Sequence, residues 1–176
     1  AGDVFDVSNP SAASQRMYYE FIYRVTAENP GLQIVIVAGN HDSAARLEAP
    51  LPLLQAMRTE VRGVVRKLNE GEIDYDHLAV ELKNREGEVE VLCMAVPFLR
   101  QGDYPVVETE GNPYMEGVRE LYTQLLQRLW ARRKTNQAIL AIGHLQATGS
   151  EIAEKDYSER TVIGGLECVS PDTFSE

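Results

Sequence analysis

Two short apolar runs, each stopping at a glycine followed by polar donor side chains, decide most of what this 176-residue chain can fold into. Leu32-Gln33-Ile34-Val35-Ile36-Val37-Ala38 gives way to Gly39-Asn40-His41-Asp42-Ser43, and Ala138-Ile139-Leu140-Ala141-Ile142 ends at Gly143-His144. A β-branched run without polar alternation reads as a strand buried on both faces, as in a covered parallel sheet. Helical periodicity fills the spaces between. A first helix is expected from about Ser14 to Glu28, with Met17, Tyr18, Phe21, Ile22 and Val25 on one face and Asn29-Pro30-Gly31 as its stop. Pro50 is placed to start another over Leu51 to Met57. The longest runs from about Tyr114 to Arg133, where Met115, Val118, Leu121, Tyr122, Leu125, Leu126, Leu129 and Trp130 keep helical spacing and read as core.

The middle of the chain changes character. Val61, Gly63 and Val65 suggest a short strand. Leu78, Val80 and Leu82 alternate with charged or small residues, as do Val89 and Val91 after the turn Asn84-Arg85-Glu86-Gly87. That pattern is a hairpin with one wet face, whose second strand becomes wholly apolar through Met94-Ala95-Val96-Pro97. Gln146 to Arg160 reads as a surface loop, and Thr161 to Gly164 as a return to strand. With no repeat or linker, the expectation is a single α/β sandwich whose sheet is mixed.

Composition narrows the partners. A net charge of −10 and a pI near 4.8 exclude a broad basic surface of the kind that supplies most non-specific nucleic-acid affinity. The densest basic cluster, Arg128, Arg132, Arg133 and Lys134, falls at a helix C-terminus, where cations complement the dipole. No run approaches 18 apolar residues, so no membrane span is expected, and no signal peptide opens the sequence. Cys93 and Cys168 lack metal-type spacing. Cys93 reads as a buried, inert thiol, and such sparing cysteine use suits a reducing cytoplasm.

Three glycine-led segments put oxygen or imidazole donors where apolar strands meet loops: Gly2-Asp3-Val4-Phe5-Asp6, Gly39-Asn40-His41-Asp42 and Gly143-His144. Carboxylate, amide oxygen and imidazole together suit manganese, iron or zinc better than an all-oxygen calcium site. Two divalent ions about 3.5–4 Å apart can clamp a phosphate and activate water, and a shared carboxylate offsets their repulsion. A histidine that binds no metal can protonate the leaving oxygen, and a second carboxylate can hold that imidazole charged and correctly turned. Singly, the parts have plainer readings: Asp3 and Asp6 as loop or capping acids, His144 as a structural histidine. Jointly, in this order and at these strand ends, they point to a metal site. His77, in Asp74-Tyr75-Asp76-His77, reads as a solvated loop residue. Arg100, in Pro97-Phe98-Leu99-Arg100, either pairs with an acid or reaches a phosphate.

At these motifs the sequence resembles the calcineurin-like metallophosphoesterases, and within them the bacterial SbcD-type exonuclease subunits. The order GDVFD, AGNHDS, VPFLR, IGHLQATG covers nearly the whole chain. GNHD alone marks the superfamily, whereas the opening Ala1 to Asp6, Val96 to Arg100 and Gly143 to Gly149 point to the nuclease branch. The resemblance implies a metallophosphoesterase-type sandwich and two metal ions, manganese being the ion that supports nuclease activity in the family. It implies Asp3 as the ligand bridging both metals, Asn40 and His144 as ligands of the second, and His41 as proton donor or transition-state stabiliser. Asp6 matches the acid that orients His41, and Asp42 matches a position of structural support. It further implies a cytoplasmic hydrolase of DNA repair and recombination, with exo- and endonuclease action on DNA ends and hairpins. Homodimerisation and an SMC-like ATPase partner of the SbcC type complete the picture.

The family also carries Asp-x-His on a strand before GDVFD and Gly-His-x-His at the end of its core, and these 176 residues contain neither. The expectation is a nuclease core incomplete at both ends, without the capping and partner-binding regions. By itself it would show little nuclease activity, weak metal affinity, and an unpaired sheet edge with an exposed apolar face. Two other readings stay open at the level of sequence: a metallophosphoesterase for a small phosphoester, and a non-catalytic scaffold or interaction module.

Overall fold

A computed structural model describes residues 2–147 and 168–169. The elements follow the order α1 (Ala12–Glu28), β1 (Ile34–Val37), α2 (Ala44–Glu48), α3 (Leu51–Ala56), β2 (Thr59–Arg62), β3 (Ala79–Lys83), β4 (Val89–Val96), α4 (Pro113–Arg132), β5 (Ala138–Gly143), β6 (Gln146–Ala147) and β7 (Cys168–Val169). β1 pairs in parallel with β2, and β6 with β7; β4 lies between antiparallel β3 and parallel β5. The sheet system is therefore mixed, and the fold is α/β, as expected. The proposed loop of 146–160 lies outside the described residues except for β6, and the strand at 161–164 lies wholly outside them.

Strand periodicity explains the layering, because successive side chains point to opposite faces. On β4, Leu92, Met94 and Val96 face α4 and join Val118, Leu121, Leu125 and Leu129 in one core. Cys93 and Ala95 face the other way, toward Val35 and Val37 of β1, with Val80 and Ile142 completing a second core. Ile36 and Ala38 leave β1 on its far side and meet Ile22, Leu47, Leu54 and Val61 in a third. The order helix, sheet, sheet, helices is a sandwich in which β1 and the ends of β4 and β5 converge. Phe98 N–H donates to Ala38 O at 2.8 Å, tying the end of β4 to the end of β1.

Helix caps follow the sequence. Ser11 Oγ accepts from Ser14 N–H at the start of α1, and Asn112 Oδ1 accepts from Tyr114 and Met115 N–H ahead of Pro113 in the first turn of α4. The buried stripe of α4 is Tyr114, Val118, Leu121, Tyr122, Leu125 and Leu129. Trp130 falls beside it and is 63% exposed with the Arg133 guanidinium over its ring, so the expectation of a core tryptophan is corrected. We expect Leu125→Ala to cost about 2–5 kcal/mol, and Trp130→Ala less than about 1 kcal/mol. Urea unfolding of the two variants checks this; equal losses would contradict the assigned stripe.

Three other expectations are corrected. On α1, Met17 and Phe21 are 72% and 61% exposed, because the packed face centres on Ile22 with Tyr18 and Tyr19 beside it. At about 100° per residue, positions 17 and 21 sit about 100° or more from that centre. β5 is not buried on both faces: Leu140 is 47% exposed, since β4 is the only described strand beside it. His77 is no solvated loop residue, its side chain being 7% exposed with Nε2 3.3 Å from Glu48 Oε1.

Glu48, at the end of α2, gathers the chain around it. Its carboxylate accepts from Gly63 N–H at 2.8 Å, Val64 N–H at 3.2 Å and Arg66 Nη2 at 3.1 Å, besides facing His77. Burial alone would raise its pKa, but the bonds from His77, Gly63, Val64 and Arg66 outweigh burial and hold it at about 2 against an ordinary 4.5. A carboxylate with a depressed folded-state pKa stabilises the fold above its unfolded value and loses that contribution as pH falls through the folded one. The expected loss between pH 4.5 and 2 is on the order of 3 kcal/mol. Glu48→Gln should flatten that stretch of the stability–pH curve; an unaltered curve would rule Glu48 out as its source.

Candidate metal centre

The three glycine-led segments meet at the end of β1. Asp3 lies in the loop before α1, Asn40 and His41 follow β1 directly, and His144 follows β5. His144 Nε2 is 3.0 Å from Asn40 Oδ1 and 3.4 Å from Asp3 Oδ2, and the other Asp3 oxygen accepts the His41 N–H at 3.0 Å. The structure thus brings together all three residues expected to hold metal.

Glycines make the approach possible. A Cβ on Gly39 would overlap the Asp3 carboxylate and its backbone nitrogen, and one on Gly2 would strike the His144 ring and the Gly39 Cα. Gly39→Ala should therefore push the Asp3 loop away and, on the metal-site reading proposed below, weaken manganese affinity in the full-length protein at least about tenfold. Titration calorimetry reads this directly, and an unchanged affinity would contradict the packing. Asp3 itself has φ 53°, a left-handed conformation that a non-glycine residue adopts at a cost of about 1–3 kcal/mol.

Asp42 supplies the restraint. Its carboxylate, 3% exposed, accepts from Val4 N–H at 3.1 Å, Phe5 N–H at 2.9 Å and Gly39 N–H at 2.9 Å. One buried carboxylate thereby fastens the Asp3 loop to the Asn40 loop. Phe5 anchors the same loop on α1, its ring edge-on to Tyr18 at 5.4 Å. Neither role was legible from sequence: Asp42 read only as unspecified support, and Phe5 as a motif letter.

His41 sits alongside with its ring largely covered. Its Nδ1 is 3.1 Å from the Asp6 main-chain oxygen and 3.8 Å from the Asp6 carboxylate, which is 73% exposed. The residue expected to orient His41 is thus beside it, with the carbonyl as the nearer partner. With Nδ1 so placed, Nε2 is the ring nitrogen for which no partner is found among the described residues.

The donor set fits a divalent cation. Ligand bonds of about 2.1 Å at right angles place neighbouring donors about 3 Å apart, and the 3.0 and 3.4 Å separations among Asn40, His144 and Asp3 lie near that. A carboxylate oxygen, an amide oxygen and an imidazole nitrogen match manganese or another borderline transition ion. Among the described residues, no group of three or more His, Cys, Asp and Glu side chains gathers at one point, so Asn40 is essential to the set. Those residues also hold no helix long and apolar enough to cross a membrane.

A mixed α/β sandwich in which a carboxylate, an amide and an imidazole converge beyond the ends of β1 and β5 is the arrangement that the resemblance to metallophosphoesterases implies. Over nearly its whole length the chain is similar to SbcD-type sequences. It is 35% identical to the SbcD component of the SbcCD nuclease of Rhodobacter capsulatus, with 99% of this chain and 44% of that protein covered. It is 42% identical to the Bacillus subtilis protein of the same name and 26% to the Escherichia coli one, each with 99% of this chain and 42% of the relative covered. The chain spans less than half the length of these curated relatives. No family model matches it.

Proposed function

We propose that this chain is the metal-site portion of a DNA nuclease subunit that hydrolyses phosphodiester bonds by a two-metal mechanism in DNA repair and recombination. The observation that carries the reading is the convergence of Asp3, Asn40 and His144 with His41 beside them. The names of the relatives, all nuclease subunits, support the same substrate class.

In this reading Asn40, His144 and Asp3 would hold one manganese ion, and Asp3 would serve a second as well. Bound there, the ions would supply charge neutralisation at the phosphoryl group. His41, its Nδ1 held by Asp6, delivers a proton from Nε2 to the departing oxygen. Asp42 keeps the two donor loops in register, so little reorganisation accompanies the reaction. The described donors amount to three for one cation and one for the other, so the 176 residues alone should bind manganese weakly and cleave DNA poorly. A partner ATPase of the SbcC type, action on DNA ends or hairpins, homodimerisation and a cytoplasmic setting belong to the same proposal; the relatives' naming as one subunit of SbcCD supports the partner.

The full-length protein, purified with manganese, tests it against linear duplex DNA and an aryl phosphodiester. Shortening of the duplex supports the nuclease reading. Turnover of the small ester with DNA untouched would favour a small-phosphoester hydrolase, and turnover of neither a scaffold.

A further inference from the structure

Most arginines of this acidic chain whose contacts are described are engaged by acids or rings. Arg62 meets Glu60 at 2.8 Å, Arg66 meets Glu48 at 3.1 Å and Arg132 meets Asp76 at 2.8 Å, while Arg128 lies over the Tyr75 ring. Arg100 too lies over a ring, that of Phe98, and differs in standing beside the candidate metal centre. Its side chain is exposed, and no carboxylate among the described residues pairs with its guanidinium. Nη2 donates to the Asn40 main-chain oxygen over a long 3.4 Å, and the guanidinium carbon sits 5.3 Å from the Phe98 ring centre.

The surroundings fix where this cation stands. Phe98, 8% exposed, presents its ring at 74° to the His144 ring, 6.1 Å between centres. The backbone is pinned on both sides of the guanidinium, through Phe98 N–H to Ala38 O and through Arg100 N–H to Asp103 Oδ2 at 2.8 Å. One aromatic ring therefore backs both a metal-type imidazole and an unpaired guanidinium, which in turn touches the residue preceding His41. The contacts now holding the guanidinium are a neutral acceptor at long range and a ring face. Both are weaker than the charge-assisted, two-pronged bond it makes with a phosphate. Asp3, Asp6, Asp42 and Asp103 crowd this corner with negative charge, against which a polyanion needs a cation to approach.

We infer that Arg100 is a substrate-contacting residue that grips a phosphate of the nucleic-acid backbone at the rim of the metal centre, an assignment that rests on the nuclease reading above. It then supplies at the rim of the centre a cation for backbone phosphate that the chain's overall charge of −10 does not.

The test uses the full-length protein and its R100A and R100K variants. Binding of a fluorescein-labelled linear duplex in metal-free buffer is followed by anisotropy across a salt series, alongside manganese-dependent cleavage kinetics and bound-metal analysis. R100A is expected to bind the duplex about tenfold more weakly and to lower the salt slope by about one for each Arg100 engaged. Its KM should rise with manganese content unchanged, and R100K should restore the slope but only part of the affinity. An R100A protein matching wild type in slope and KM would overturn the assignment. So would one whose manganese content falls in step with activity, since Arg100 would then merely brace Asn40. If wild type cleaves no phosphodiester at all, the reading of the centre fails; if it cleaves and R100A is indistinguishable, only the role of Arg100 fails.

Discussion

Replacing His41 with alanine in the full-length protein is expected to lower turnover of duplex DNA by about 10²–10⁴-fold, the usual worth of a positioned general acid, while leaving bound manganese in place. The asymmetry follows from the geometry. The His41 ring turns toward Asp6, whereas the donors facing one another are Asp3, Asn40 and His144. Asp3→Ala should behave differently, removing turnover and metal together, because both Asp3 oxygens are committed at the corner, one toward His144 and one to the His41 N–H. Metal analysis beside kcat for the two variants separates the roles. Loss of metal in the His41 variant would make that residue a ligand, and full activity in it would remove it from the mechanism.

The second large effect concerns Asp42. Asp42→Ala leaves three N–H groups, on Val4, Phe5 and Gly39, without their acceptor in a site where the carboxylate is 3% exposed. Stranding a buried polar group costs about 1–3 kcal/mol, so a loss of several kcal/mol is expected, with weakened manganese binding as the Asp3 loop comes free. Asp42→Asn is informative because it is nearly isosteric. It turns one acceptor into a donor facing a backbone N–H, so it should approach the alanine variant in severity. Urea unfolding and manganese titration of both variants check this. An asparagine variant equal to wild type in both would show that the carboxylate does not hold the two loops together.

How legible the molecule was from sequence depended on whether a residue's fate is set locally. The β-branched run of β1, the alternation in β3 and the helical spacing from about Tyr114 to Arg133 are local signals, and each element formed close to where its pattern placed it. Asn40, His41 and His144 stood out as candidates because glycine-led polar tips directly follow apolar strands, whereas Asp3 follows no described strand. What escaped was decided by packing between distant segments. Whether Trp130 enters the core depends on which stripe of α4 meets β4, and Leu129 rather than its neighbour lies on that stripe. The exposure of Leu140 depends on what lies beside β5, and the burial of His77 on Glu48, 29 residues away. Asp42 carried no signal of its importance beyond its place in the motif, since its partners are backbone amides up to 38 residues off.

Anomalous scattering from manganese-soaked crystals of the full-length protein tests the centre most directly. The account predicts a peak within bonding distance, about 2.0–2.4 Å, of a carboxylate oxygen of Asp3, Oδ1 of Asn40 and Nε2 of His144, with the His41 ring outside that shell. Manganese bound elsewhere, with those three side chains making no contact to it, would contradict the account at its root.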